Sequence, residues 1–313
     1  MSFRLGDLPV LSRSTVDRQD PLRDDEQRQR ELWPAARVLL VDRHGRFAMG
    51  DGDGLVLSAA SELGESIVDG AVLLGERDGV GYWAATVDEG DDGWTDLRLS
   101  GAALDATAAG LAVTAVAVLG WHRRAPYCSG CGRPTEMARA GWARRCRDCD
   151  VEEYPRTDPA VICLVHDGAD HALVARGPQW PRGRFSVLAG FVEAGESLEA
   201  CVVREIMEEV GVPVRDVHYL GSQPWPFPRS LMIGFEARAD RCAPLEPADG
   251  EIAEARWVSR DAVHAALDAG SWADRIGPVH GEHPDLILPG PVSIAGQMLR
   301  SWAATRPTHS ATM

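Results

Sequence analysis

The chain has 313 residues, more than the ~100 to 200 of a common single domain, so two domains with a connector are expected. Hydrophobic residues at 45% and charged residues at 25% exclude a disordered, collagen-like or disulfide-scaffold chain. A net charge of −15 argues against a protein that grips nucleic acid or an anionic membrane mainly through a basic surface, while phosphate substrates stay open because a divalent metal can reverse the local field.

Residues 1–30 lack the apolar core of a secretory signal, and the C-terminus carries no lipidation address, so a cytoplasmic location is expected. Arg37 to Val41, the turn Asp42 to Gly45 and Phe47 to Met49 predict a hairpin; Ala71 to Leu74 and Val80 to Ala84 predict a second. The Ala-rich stretch from Leu104 to Leu119 predicts a closing helix, weakened by Gly110. The uncharged run Ala106 to Trp121 is shorter than the ~20 residues that span a bilayer, and a buried helix is the simpler reading.

Seven cysteines in a chain with no export signal point to metal or packing. Four form two CxxC units, Cys128-Ser-Gly-Cys131 and Cys146-Arg-Asp-Cys149, separated by 14 residues. Each turn can aim two thiolates at one ion, and four thiolates close a tetrahedral zinc shell with no open position for catalysis. A redox dithiol is the minor alternative. Cys163, Cys201 and Cys242 are expected as small core residues. After the cluster, Ala160 to Val165 and Ala172 to Ala175 predict another hairpin.

Phe185 to Ala189 reads as a strand, Gly190 to Gly195 as a loop, and Ser197 as the N-cap of a helix that Gly211 ends. Leu198, Val202, Ile206 and Val210 form its buried stripe. Glu205, Glu208 and Glu209 then fall within about 100° of one another. Three like charges on one face repel, and a hard divalent cation resolves the conflict. A solvated acidic face is the plain alternative, but it leaves the flanking glycines unexplained.

The full pattern, Gly190-x5-Glu196-x7-Arg204-Glu205-Ile-x-Glu208-Glu209-x-Gly211-Val212, resembles the Nudix box at every position. Ser222-Gln-Pro-Trp-Pro-Phe-Pro-Arg-Ser230, which is expected to follow the strand near Val217 to Leu220 by a turn, is similar to the SQPWPFP signature of NADH pyrophosphatases. Together with the cysteine quartet it identifies the chain as a member of that Nudix family. The resemblance covers residues from about 98 to 300 well and the first 90 poorly.

It implies an α+β chain: a β-rich N-terminal domain (1–122), a four-cysteine zinc ribbon (123–153), a Nudix α/β/α sandwich (154–305) and a flexible tail (306–313). The implied activity is Mg²⁺- or Mn²⁺-dependent hydrolysis of NADH or NAD to the mononucleotide and AMP, with removal of NAD caps from RNA 5′ ends. A homodimer without membrane contact is also implied. Glu205, Glu208 and Glu209 would be catalytic, and with the Ala189 carbonyl and Glu251 would hold the metal, Glu208 serving as ligand or base. Arg204 would pair with Glu196. Substrate contacts would come from Arg98, Tyr154, Gln223, Pro224, Trp225, Pro226, Phe227, Pro228, Arg229, Ser230 and Ala295. Glu254 competes with Glu251 for the late metal position, and Gly141 stands where some relatives carry a contacting glutamate. A broader ADP-ribose type pyrophosphatase and a nucleotide-sensing regulator are the competing functions. The proline-rich segment disfavours the first of these, and the complete set of box glutamates disfavours the second.

Overall fold

The computed structural model describes residues 3–272 and 285–305; the expected tail at 306–313 lies outside the described residues. The chain divides into two compact units, one of Leu11–Thr157 with Pro224–Ser230, the other of Met1–Val10, Asp158–Gln223 and Leu231–Met313.

The first unit contains α1 (Glu26–Leu32), β1 (Arg37–Asp42), β2 (Arg46–Phe47), β3 (Ser58–Ala59), α2 (Ala60–Leu63), β4 (Val72–Arg77), β5 (Val80–Val87), β6 (Thr95–Asp96), α3 (Leu97–Ser100), α4 (Ala106–Arg124), β7 (Thr135–Ala138), β8 (Ala143–Cys146) and β9 (Glu152–Glu153). Its main sheet runs β3-β1-β5-β4, and the β4–β5 hairpin is the one expected. The first expected hairpin does not form. β1 lies parallel to β5, Arg37 opposite Tyr82 through Asp42 opposite Val87, and β2 pairs with β6. The buried Asp42 carboxylate accepts from the backbone N–H groups of His44 and Arg46 and from Arg46 Nε, closing a turn that leads the chain out of the sheet. Val38, Leu39 and Val41 are all fully buried, the continuous burial that suits a central parallel strand.

α4 runs through Gly110 without a break. A Cβ there would meet Ser14 Oγ at 2.6 Å, so the glycine admits the N-terminal segment against the helix. The helix is buried along most of its length, as core. No helix among the described residues is long and apolar enough to cross a membrane.

The second unit contains β10 (Asp158–His166), β11 (His171–Arg176), β12 (Leu188–Phe191), α5 (Leu198–Val210), β13 (Val214–Trp225, its last two residues grouped with the first unit), β14 (Ser230–Ala239), β15 (Glu254–Ser259), α6 (Arg260–Asp268) and α7 (Ile294–Ala304). The sheet order is β13-β14-β10-β11-β15, with β12 paired to β10. Successive side chains of a strand face opposite sides, and β10 feeds two cores. Val161, Cys163 and Val165 pack with Cys201, Val202 and Ile206 of α5; Ile162 and Leu164 pack with Val263 of α6 and with Met298 and Trp302 of α7. The result is the expected α/β/α sandwich.

Two local expectations are corrected. Ser222 to Trp225 continue β13, the neighbour of β14, instead of following a turn. Cys242 is exposed, unlike the buried Cys163 and Cys201, since it lies beyond the end of β14.

Ile206 is 1% exposed and Val203, on the same helix, 42%. Ile206→Ala is expected to lower stability by ~2 to 5 kcal/mol. Val203→Ala should stay within about 0.5 kcal/mol, as surface changes do. Denaturant unfolding of the two variants checks the burial direction of α5.

Candidate active site and zinc centre

The helix α5 is set by its ends. Ser197 Oγ accepts from the Ala200 N–H, and Gly211 takes the left-handed conformation at φ 73°. Between them the apolar stripe faces the sheet, which turns Glu209 inward, to 6% exposure, while Glu205 lies at its rim. The Ala189 backbone hydrogen-bonds Glu209, yet Glu209 Oε2 is buried with no hydrogen-bond partner. Burial, with the charges of Glu205 and Glu251, pushes the Glu209 carboxyl up to about 8. Burial likewise lifts Glu205, with Glu208 and Glu251 adding to the effect against the opposing pull of Arg204.

A buried anion without counter-charge is costly, and an orphaned carboxylate oxygen in the field of two further carboxylates is the kind of group that a hard divalent cation relieves. The residues therefore fit a hard divalent cation. The approach is close: a Cβ at residue 190 would lie 1.8 Å from the Glu205 carboxyl carbon, so glycine leaves the Glu205 carboxylate room where it stands.

Arg204 holds the loop, as expected, and does more. Nε and Nη2 bind the two Glu196 oxygens at 2.8 and 2.9 Å, Nη1 reaches Glu205 at 3.0 Å and Glu208 at 2.8 Å, and Nη2 donates to the Phe191 carbonyl. This pairing holds Glu196 down to about 2. Glu208 is 57% exposed and stands apart from the buried carboxylates. Of the competing late glutamates, Glu251 acts electrostatically on Glu205 and Glu209, whereas Glu254 pairs with Arg176 and Arg256.

In the first unit, Cys128, Cys131, Cys146 and Cys149 bring all four Sγ atoms within 4.8 Å of one another. The shortest separations, 3.5 and 3.6 Å, are far from the ~2.05 Å of a disulfide and close to the ~3.8 Å edge of a tetrahedron with 2.3 Å zinc–sulfur bonds. Backbone bonds from Cys149 and Asp148 hold the Cys146 thiol down to about 7, which favours the thiolate that zinc takes. The quartet fits a structural zinc ion.

The expected substrate residues fall into separate groups. Arg98 is locked on Asp96 and lies 4.9 Å over the Phe227 ring, which itself meets Trp225 edge-on at 5.0 Å; the Pro228 carbonyl accepts from Arg124. Tyr154 is exposed, its hydroxyl donating to Glu152. In the other unit Gln223 is fully buried and donates to the Val292 carbonyl, and Ala295 is core, its N–H on the Ser293 hydroxyl. Gly141, at φ 90°, lies against Val72 and offers its carbonyl to His122. Sequence reasoning passed over Phe191, 59% exposed beside Gly190 at the end of β12. An aromatic directly after the box's first glycine was the available signal.

Residues 156–278 match the NUDIX domain, and residues 123–154 match the NADH pyrophosphatase zinc ribbon domain. The fold and the carboxylate site thus define a Nudix hydrolase. An NAD-capped RNA hydrolase NudC from Mycobacterium bovis BCG Pasteur is 48% identical over 97% of each chain, and that of Mycobacterium tuberculosis H37Ra is 47% identical over the same share. The NudC of Pseudomonas fluorescens Pf-5 is 42% identical over 55% of this chain and 61% of its own. With full-length relatives at this identity, the chain belongs to the NADH pyrophosphatase family of Nudix hydrolases.

Elemental analysis should return one zinc per chain, and Cys146→Ser should lose it and unfold the ribbon at lower temperature. A protein that purifies without zinc would contradict the tetrahedral reading. Arg204→Ala should weaken divalent-metal binding by releasing Glu205 and the 191–196 loop, measurable by calorimetric titration of Mn²⁺.

Proposed function

We propose that the chain hydrolyses the diphosphate of NADH and NAD to the nicotinamide mononucleotide and AMP, and removes NAD caps from RNA 5′ ends by cutting the same bond. The observation that carries this reading is the buried Glu209 carboxylate, one oxygen unpartnered, in the field of Glu205 and Glu251. The substrate choice is supported by the full-length NudC relatives and by the type of zinc ribbon.

Glu205, Glu209 and Glu251, with the Ala189 carbonyl, would hold Mg²⁺ or Mn²⁺, which when bound offsets charge on the diphosphate and acidifies water. Arg204 keeps the Glu205 oxygen in place and anchors the loop through Glu196. Glu208, exposed and outside the buried group, takes the proton of the attacking water. The water oxygen bonds to one phosphorus as the bond from that phosphorus to the bridging oxygen breaks, and the bridging oxygen leaves on the other phosphate. The Glu205 and Glu209 side chains exclude further solvent from the pair by their burial.

Arg98, Tyr154, Gln223 through Ser230 and Ala295 are proposed to contact the substrate, Tyr154 through its exposed ring and Ala295 through its backbone, since its side chain is in the core. A homodimer is proposed from the family resemblance, and a cytoplasmic location suits seven free cysteines.

Purified protein with Mg²⁺ or Mn²⁺ should release AMP and the reduced mononucleotide from NADH, and should free NAD-capped RNA of its cap. Faster turnover of ADP-ribose than of NADH would sink the reading. Glu209→Gln should lose ~10²-fold or more in kcat while keeping the fold, as loss of metal-based activation does; retained turnover would show that the metal site is misassigned. Light scattering on the eluted peak checks the dimer.

A further inference from the structure

The Nudix unit contains a cavity of about 430 Å³ that the chemistry above does not use. Its wall carries three guanidinium groups, Arg176, Arg182 and Arg256, against two carboxylates, Glu254 and Asp285, in a chain of net charge −15. The Nε–H groups of Arg176 and Arg256 are buried and have no hydrogen-bond acceptor among the described residues. Glu254 lies 3.8 Å from Arg176 Nε and 3.9 Å from Arg256 Nη1, near enough to attract and too far to accept a hydrogen bond.

The remaining donors are fixed. Arg176 Nη1 binds the Trp180 carbonyl at 3.2 Å, Arg256 Nη2 binds the Asp285 carbonyl, and the Arg256 guanidinium stacks 4.3 Å from the centre of the buried Phe185 ring. The loop carrying Arg182 is closed by the Arg184 N–H to Pro181 and by the Ile287 N–H to Gly183. Arg182 is exposed and forms no ion pair with the described residues. A wall that brings three guanidinium groups together, that of Arg182 exposed and unpaired among the described residues, suits a tetrahedral oxyanion, which accepts from several donors at once.

The strand that carries Arg176 is bonded to the segment that follows Glu251. Arg176 sits opposite Glu254 in the β11–β15 register, and its carbonyl accepts from the Ala253 N–H, two residues after Glu251. A dinucleotide has no phosphate beyond its diphosphate, whereas a capped RNA has one at each following nucleotide. We infer that this cavity takes a backbone phosphodiester of the RNA behind an NAD cap, an inference that rests on the proposed decapping activity. Inorganic phosphate and free nucleotides share that chemistry, so the test separates the sources.

The full zinc-loaded chain is titrated in Mg²⁺-free buffer with a fluorescein-labelled NAD-capped RNA octamer, with NAD and with inorganic phosphate. Arg182→Ala should weaken capped-RNA binding about tenfold, the loss of one charge-assisted contact, and should flatten the salt dependence by ~0.7 in log–log slope. Arg182→Lys should restore most of both, and Arg176→Gln should reproduce the loss if it folds. Wild-type RNA affinity and slope in Arg182→Ala and Arg176→Gln overturn the inference. Phosphate binding that these variants abolish while RNA affinity stays unchanged assigns the cavity to free anions and overturns it as well. Binding is read without turnover, so RNA held through these arginines by a protein that cleaves no cap would defeat the proposed function alone. Cap cleavage indifferent to the arginines would defeat the inference alone.

Discussion

The site depends on one constraint: the helix that packs Val202, Ile206 and Val210 against the sheet must also turn Glu209 inward. Burying a carboxylate without a counter-charge is unfavourable, and among the described residues nothing offsets it fully, since the Ala189 backbone reaches Glu209 and leaves Oε2 unanswered. Apolar packing over α5 outweighs that cost. The strain is kept where a cation would relieve it, which is how structure is converted into metal affinity.

Arg204 keeps this arrangement from collapsing. A single guanidinium engages Glu196, Glu205, Glu208 and the Phe191 carbonyl, so the loop before α5 and the exposed side of the carboxylate group are tied to one rigid fork. A lysine could not reproduce two parallel bonds to Glu196 while reaching two more acids. Gly190 completes the geometry by leaving the Glu205 carboxylate its place against the strand, which a side chain there would displace.

The zinc ribbon solves a different problem. β7, β8 and β9 are short and carry little apolar surface of their own, so four thiolates around an ion would replace the core that the segment cannot build. Trp142 ties the ribbon to its neighbours in the same unit through the Leu73 carbonyl and through the Arg23 guanidinium over its ring. Four more of the ten tryptophans pack in pairs: Trp33 meets Trp83, and Trp180 meets Trp272, edge to face.

What the amino-acid order determined was local and periodic. Ser197, the four-residue apolar step and Gly211 wrote α5 with its cap, its buried face and its stop, and the CxxC spacing wrote the thiolate cluster, because each rests on neighbours within a few turns of chain. Only the tertiary structure decided matters of distant pairing. β1 found β5 in parallel instead of a neighbouring strand; Gly110 became a contact for Ser14 instead of a helix breaker; Glu251 was separated from Glu254 by which of them Arg176 and Arg256 engage. The cavity lined by Arg176, Arg182 and Arg256 was invisible in the sequence for the same reason. Its residues follow no period: the pairing of β11 with β15 brings Arg176 to Arg256, and the loop bonded to Ile287 adds Arg182.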